Sequence, residues 1–136
     1  MKKIFIDSDV MLDVTLRREP FYLYALNLFE FCHQENVNAV TSSVAFINTN
    51  YFLKKLAPDT RWTSLKRLRG ILSIVEVTEP MIDMALKDEK SDFEDAVQYH
   101  AALTANADFI ITRNIKDYKQ ATIPVLTAEQ FLRTLS

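Results

Sequence analysis

One glycine, Gly70, serves the entire 136-residue chain, and it excludes more than any other feature of the sequence. Dinucleotide-binding folds need G-x-G-x-x-G and P-loops need G-x-x-x-x-G-K-[ST], because only glycine lets a backbone approach phosphate so closely. Neither can be built around Gly70. A chain of this kind that handles phosphate must grip it with side chains and metal instead of a cradle of backbone amides. The lone Cys32 similarly removes an intramolecular disulfide and a cysteine-based zinc site, and it fits a reducing compartment. Domains of this length typically bury about 70% of the unfolded-chain surface. With no internal repeat, low-complexity tract or Gly/Ser linker, residues 1–136 read as one domain.

Sixteen basic and eighteen acidic residues leave a formal net charge of −2, so no whole-molecule attraction to nucleic acid or anionic membrane is expected. The charges are unevenly spread. Lys54, Lys55, Arg61, Lys66, Arg67 and Arg69 face a single acid, Asp59, between positions 54 and 69. Between Glu76 and Asp95 the balance reverses, with eight acids against Lys87 and Lys90. Such blocks commonly mark solvated helix faces. Lys2 and Lys3 precede only a short apolar triplet, not a signal-peptide core, and no apolar run approaches the ~18 residues of a membrane span. The expectation is a cytoplasmic protein with no membrane partner.

Short apolar runs predict strands at Lys3–Asp7, Val37–Thr41, Ile74–Val77 and Asp108–Thr112, buried on both faces. A fifth, Ile123–Leu126, carries Pro124 and belongs at a sheet edge. Helical spacing is found over Tyr22–Glu35, Val44–Leu56, Trp62–Leu72, Met81–Leu86 and Ser91–Ala105. In the last of these Phe93, Ala96, Val97, His100, Ala101 and Thr104 share a face, and Ser91 with Glu94 has the spacing of a capping box. The alternation predicts a three-layer α/β/α fold around a parallel sheet of four to five strands, with ligands bound beyond the strands' carboxyl ends.

Acids collect at those ends. Strand one runs into Asp7-Ser8-Asp9, strand four into Thr112-Arg113-Asn114-Ile115-Lys116-Asp117, and the acidic helix start supplies Asp92 and Asp95. If strands one and four are neighbours, Asp7, Asp92, Asp95 and Asp117 converge. Taken singly, Asp92, Glu94 and Asp95 read as helix-start acids worth ~0.3–1 kcal/mol each, and Asp117 as a turn residue. Asp7 is different, because a carboxylate ending a buried apolar strand is costly unless paired or metal-bound. Clustered carboxylates repel one another unless a cation compensates, and hard divalent ions favour such oxygen donors. The corresponding chemistry is metal-assisted phosphoester hydrolysis. Cys32 reads as a buried structural thiol and His100 as a core histidine; Ser42 and Ser43 lack a triad partner.

At this point the chain resembles the PIN domain family, the small α/β ribonuclease fold found in VapC-type toxins of bacterial toxin–antitoxin pairs. The resemblance spans almost the whole chain through IFIDSDVMLD, SSVAFINTNYFLKKL, SDFEDAVQYHAAL, DFIITRNIKDY and IPVLTAEQFL. It implies that Asp7, Asp95 and Asp117 are catalytic and hold Mg²⁺ or Mn²⁺, with Asp92 as an additional ligand. Thr112 and Asn114 match the polar residues that order these acids, and Asp9 stands where the family often has Asn or Ser. Asn48 departs from the pattern by occupying the place of a family Glu, which bears on metal affinity and on activity. The implied activity is endoribonucleolytic cleavage of single-stranded RNA, with backbone contacts from Lys54, Lys55, Arg67, Arg113 and Lys116. The implied partners are a second copy of the chain and a small antitoxin protein.

Two other readings remain open. Asp7-Ser8-Asp9-Val10-Met11 partly fits the D-x-D-x-[TV] motif of haloacid-dehalogenase-type phosphatases, in which the first Asp is a nucleophile. A PIN fold made weak or inactive by Asn48, binding RNA or protein without cleaving it, is the other.

Overall fold

A computed structural model describes residues 2–118 and 121–135 of the chain. Five strands form one sheet among them: β1 (Lys3–Ile6), β2 (Asn38–Ser42), β3 (Leu72–Val75), β4 (Phe109–Ile111) and β5 (Val125–Leu126). Their order is β3-β2-β1-β4-β5, and every pairing is parallel. The chain lays down strands outward from β1 in one direction, then returns to add β4 and β5 on the other side. A switch point therefore lies between β1 and β4, where a crevice opens at the carboxyl ends. Ile6 pairs with Ile111, and the Asp7 amide donates to the Ile111 carbonyl at 3.0 Å. Asp7 and Thr112 thus leave the sheet side by side.

Strand pleating divides the core in two. Ile4 and Ile6 pack with Met11 of α1 (Ser8–Thr15), Leu28 of α2 (Tyr22–Gln34), Ala45 of α3 (Ser43–Leu56), Leu68 of α4 (Arg61–Ile71) and Phe131. Phe5 points the other way, onto Met81 of α5 (Glu79–Leu86) and Ala101 and Ala102 of α6 (Phe93–Thr104). The last helix, α7 (Ala128–Arg133), is set by a capping box between Thr127 and Gln130. The architecture is the expected three layers, with five strands.

Four details differ from the pattern read in the sequence. Helix α1 was not predicted, because a single short helix directly after a strand prolongs the apolar run instead of changing its period. Strand β3 starts two residues earlier than Ile74–Val77, directly from the end of α4. It is an edge strand, with Leu72 buried but Ser73 and Ile74 exposed, so burial on both faces does not hold there. Helix α6 is capped by Asp92, whose carboxylate accepts from the Asp95 amide at 3.2 Å, while the Ser91 hydroxyl donates to Asp88. Its buried face is rotated accordingly: Gln98 and Ala102 are buried, and Phe93 is exposed.

The single glycine is not used for its freedom. Gly70 sits inside α4 with open space where a Cβ would project. The left-handed positions that glycine ordinarily takes after helices fall instead to Arg17 (φ 51°), Asn36 (φ 51°) and Asn106 (φ 58°). Phe131, 1% exposed, meets Phe31 and Phe109 edge to face and joins α7 to the sheet. Phe131→Ala is expected to cost about 3–5 kcal/mol in urea unfolding; an unchanged midpoint would mean that α7 does not belong to this core.

Candidate functional site

The site begins with Asp7, which is both the residue after β1 and the N-cap of α1. One side-chain oxygen accepts from the Ser8 amide at 2.7 Å. The other accepts from the Tyr118 hydroxyl at 2.9 Å and lies 3.1 Å from the Thr112 hydroxyl. These bonds favour the ionised form, but burial outweighs them, and Asp117 adds repulsion; the Asp7 carboxyl is held above its usual range. Tyr118 is pushed up as well, by burial and by the Asp7 charge it faces, so it remains a donor.

Asp9 stands one helical step on. Its Oδ2 accepts from the Arg113 amide (3.0 Å) and the Asn114 side chain (3.1 Å), and lies 3.2 Å from the Thr112 hydroxyl. Thr112 has one proton for two carboxylates, so it can serve Asp7 or Asp9 but not both. Asp9 Oδ1 is buried without any hydrogen-bond partner. Burial and the neighbouring Asp7 charge raise this carboxyl from 3.8 to about 7.

Asp95 and Asp117 arrive from the other layer. Asp95, in the first turn of α6, is raised to about 7 by burial and by the charges of Asp7, Asp92, Asp117 and Glu94. Asp117 lies on the 3-10 turn Ile115–Tyr118 and shares with Asp95 a small cleft of about 30 Å³, which Tyr118 also lines. That is room for a water-sized occupant. Asp92 is exposed and engaged as the α6 cap. Asn48, on α3, donates to the Glu94 carboxylate at 3.5 Å, so α6 returns an acid to its vicinity.

The five basic candidates separate. Arg113 and Lys116 follow β4 on the segment that carries Asp117. Arg113 is already engaged: its Nε donates to Asp13 at 2.8 Å, and its guanidinium lies over Phe21 at 4.0 Å. Lys54 and Lys55 are exposed in the last turn of α3, with Lys55 over the Tyr51 ring at 5.0 Å. Arg67 lines a separate groove of about 700 Å³ between α1, α2 and α4, which contains none of the carboxylates named above. His100 is half-buried against Tyr99 rather than in the core, and Cys32 is buried with its thiol pushed up to about 11.

Sequence reasoning did not single out Asp13, Arg18 or Tyr118. Asp13 is 1% exposed and accepts from both Arg18 (3.0 Å) and Arg113 (2.8 Å), so it locks α1 to the turn after β4. The signal was available in its i+4 spacing from Asp9, but only once α1 is recognised as a helix.

These donors suit a hard divalent ion chemically: all are carboxylate oxygens, three of them carry raised pKa values, and one buried oxygen has no partner. Among the described residues, no three His, Cys, Asp or Glu side chains stand close enough to hold an ion as positioned. The arrangement supplies charge demand rather than a closed cage, as expected of an ion that keeps several waters and completes its shell with substrate oxygens.

Raised carboxyls have a sign. Asp9 keeps its proton in the folded state at pH values where the unfolded chain has released it, so its contribution to stability falls as pH rises from about 4 towards 7. In chelator, Asp9→Asn is therefore expected to gain thermal stability relative to wild type across that window. Melting curves that shift in parallel at every pH would contradict this.

Comparison with known proteins agrees with the geometry. No curated protein matches the chain. Among solved structures, Mycobacterium tuberculosis VapC20, a sarcin–ricin loop cleaving toxin, superposes with a TM-score of 0.65 at 14% identity, covering 79% of this chain and 86% of that one. VapBC2 from Rickettsia felis, bound to a DNA fragment from its promoter, gives 0.68 at 16% identity over 91% and 96% of the two chains. FitAcB from Neisseria gonorrhoeae gives 0.67 at 15% identity over 93% and 98%. At these identities the likeness is one of fold. The family profile described as PIN domain matches residues 3–116, and with that match over most of its length the chain belongs to the PIN domain family.

Proposed function

We propose that this PIN-domain chain is a Mg²⁺- or Mn²⁺-dependent endoribonuclease that cleaves single-stranded RNA, and that it is the toxin of a toxin–antitoxin pair, acting as a homodimer. The observation that carries the reading is the buried, unpartnered Oδ1 of Asp9 beside the buried Asp7. Two carboxylates in that position call for a cation: among the described residues the Arg113 guanidinium offsets Asp9 only in part, being committed to Asp13. The toxin assignment draws on the toxin and toxin–antitoxin proteins among the structural relatives.

Asp7, Asp95 and Asp117 would hold the ion, with Asp92 a further donor. When bound, the ion supplies a Lewis acid for phosphate oxygens and for the attacking water. The chain does the positioning. Tyr118 and the Ser8 amide fix the two oxygens of Asp7 from opposite sides. The Arg113 amide and the Asn114 side chain fix Asp9, and the Thr112 hydroxyl lies within reach of both acids and donates to one at a time. Lys116, Arg113, Lys54, Lys55 and Arg67 are the candidates for RNA backbone contacts.

Asn48 is the observation that favours a weakened or inactive domain, because its amide cannot replace a carboxylate as an anionic donor. An aspartyl-phosphate route has less support, since the turn after β4 carries a single Asp, Asp117, and not the paired late acids that route uses. Incubating the protein with single-stranded RNA and Mg²⁺ or Mn²⁺ separates these readings. Cleavage is expected, abolished by Asp7→Asn and by chelator, and reduced about 10–100-fold by Tyr118→Phe, the usual cost of losing a group that orients a ligand. Cleavage that survives Asp7→Asn and chelator would overturn the nuclease reading. Divalent-ion binding without cleavage would support the inactive domain, and phosphate release from small phosphomonoesters would support the phosphatase.

A further inference from the structure

Beside the acidic centre lies a second cleft of about 360 Å³, within the roughly 300–1,000 Å³ typical of ligand sites. Its wall is shared with that centre. Arg113 and Asn114 line the cleft, and the same two residues donate to Asp9 at 3.0 and 3.1 Å. Phe21 and Tyr24 at the start of α2, 37% and 40% exposed, line it with them. The Arg113 guanidinium is held over the Phe21 ring at 4.0 Å, and its other anchor, Asp13, is 1% exposed. Asp13 also takes Arg18 at 3.0 Å from outside the cleft, and the charged residues that line the cleft are Arg113, Asp13 and Glu129.

We propose that this cleft is a base subsite, which receives one unpaired base of single-stranded RNA while the adjoining phosphate enters the acidic centre. The inference rests on the nuclease reading above and adds to it where the substrate is held. Aromatic rings and a flat, anchored guanidinium are the surfaces on which extruded bases stack, and they accept any base because each presents a π-face. The shared turn sets the stacked base directly beside the carboxylates, so the phosphate next to that base is carried towards them. The pairing of Arg113 with Asp13 now has a purpose beyond charge balance: it fixes the guanidinium plane.

The test uses the full chain and a short single-stranded oligoribonucleotide in which 2-aminopurine replaces one base, moved stepwise along the strand, with Mn²⁺ and separately with chelator. Quenching is expected at one position relative to the scissile phosphate. Tyr24→Ala should remove the quenching and weaken binding about tenfold, while Phe21→Tyr should retain both; an unchanged melting temperature in each variant shows that folding is intact. Quenching that persists in both Tyr24→Ala and Phe21→Ala would overturn the subsite, as would cleavage whose rate and site neither variant changes, and the nuclease reading would then stand alone. Quenching lost in Tyr24→Ala with no cleavage under Mn²⁺ would keep the subsite and remove the nuclease. RNA that neither binds nor is cleaved would remove both.

Discussion

A carboxylate buried at the end of a central parallel strand sets the terms for the rest of this molecule. Asp7 lies where β1 stops and α1 starts, 7% exposed, and its charge is costly there unless it is met. Three donors lie within reach of it: a backbone amide, a tyrosine hydroxyl and, when it is not given to Asp9, the Thr112 hydroxyl. Each comes from a different piece of chain, so the same acid draws together α1, the end of β4 and the 3-10 turn. The donors leave a deficit, seen in the upward shifts of Asp7, Asp9 and Asp95. The fold concentrates negative charge at this edge, and Arg113, which offsets Asp9 in part, is committed to Asp13.

The turn after β4 mediates between structure and chemistry. Thr112 is buried and shared by two acids, and the Arg113 amide and Asn114 side chain bind Asp9. Arg113 then reaches back to Asp13, whose buried carboxylate would be left with Arg18 alone without it. One short segment therefore orients the acids on one side and closes an aromatic cleft on the other. A loop held by two buried carboxylates does not need glycine to be tight, which is how a chain with one glycine builds a close turn at the carboxyl end of its sheet.

Much of this was legible in the sequence, and the gaps have physical causes. Buried parallel strands announce themselves as continuous apolar runs, so β1, β2 and β4 were visible, and the acids following β1 and β4 were visible with them. The edge strand β3 was misplaced because its exposed Ser73 and Ile74 break that signal. Helix α1 was hidden because Val10, Met11 and Leu12 extend an apolar strand without a change of period over so few residues. With α1 hidden, Asp13 had no face to belong to. Arg113 and Lys116 looked alike as cations on a turn, yet long-range partners set them apart. Arg113 is bound to Asp13, a hundred residues away in the chain, and no local pattern encodes that pairing.

The central claim is that this edge is built to take a divalent cation. Calorimetric titration of Mn²⁺ into chelator-stripped protein near pH 6, repeated in buffers of differing ionisation enthalpy, tests it most directly. The raised carboxyls must lose protons as the ion binds, so saturable binding with net proton release is expected, and both should be lost in Asp7→Asn. Absence of binding to the wild-type chain, or equal binding by Asp7→Asn, would contradict the account.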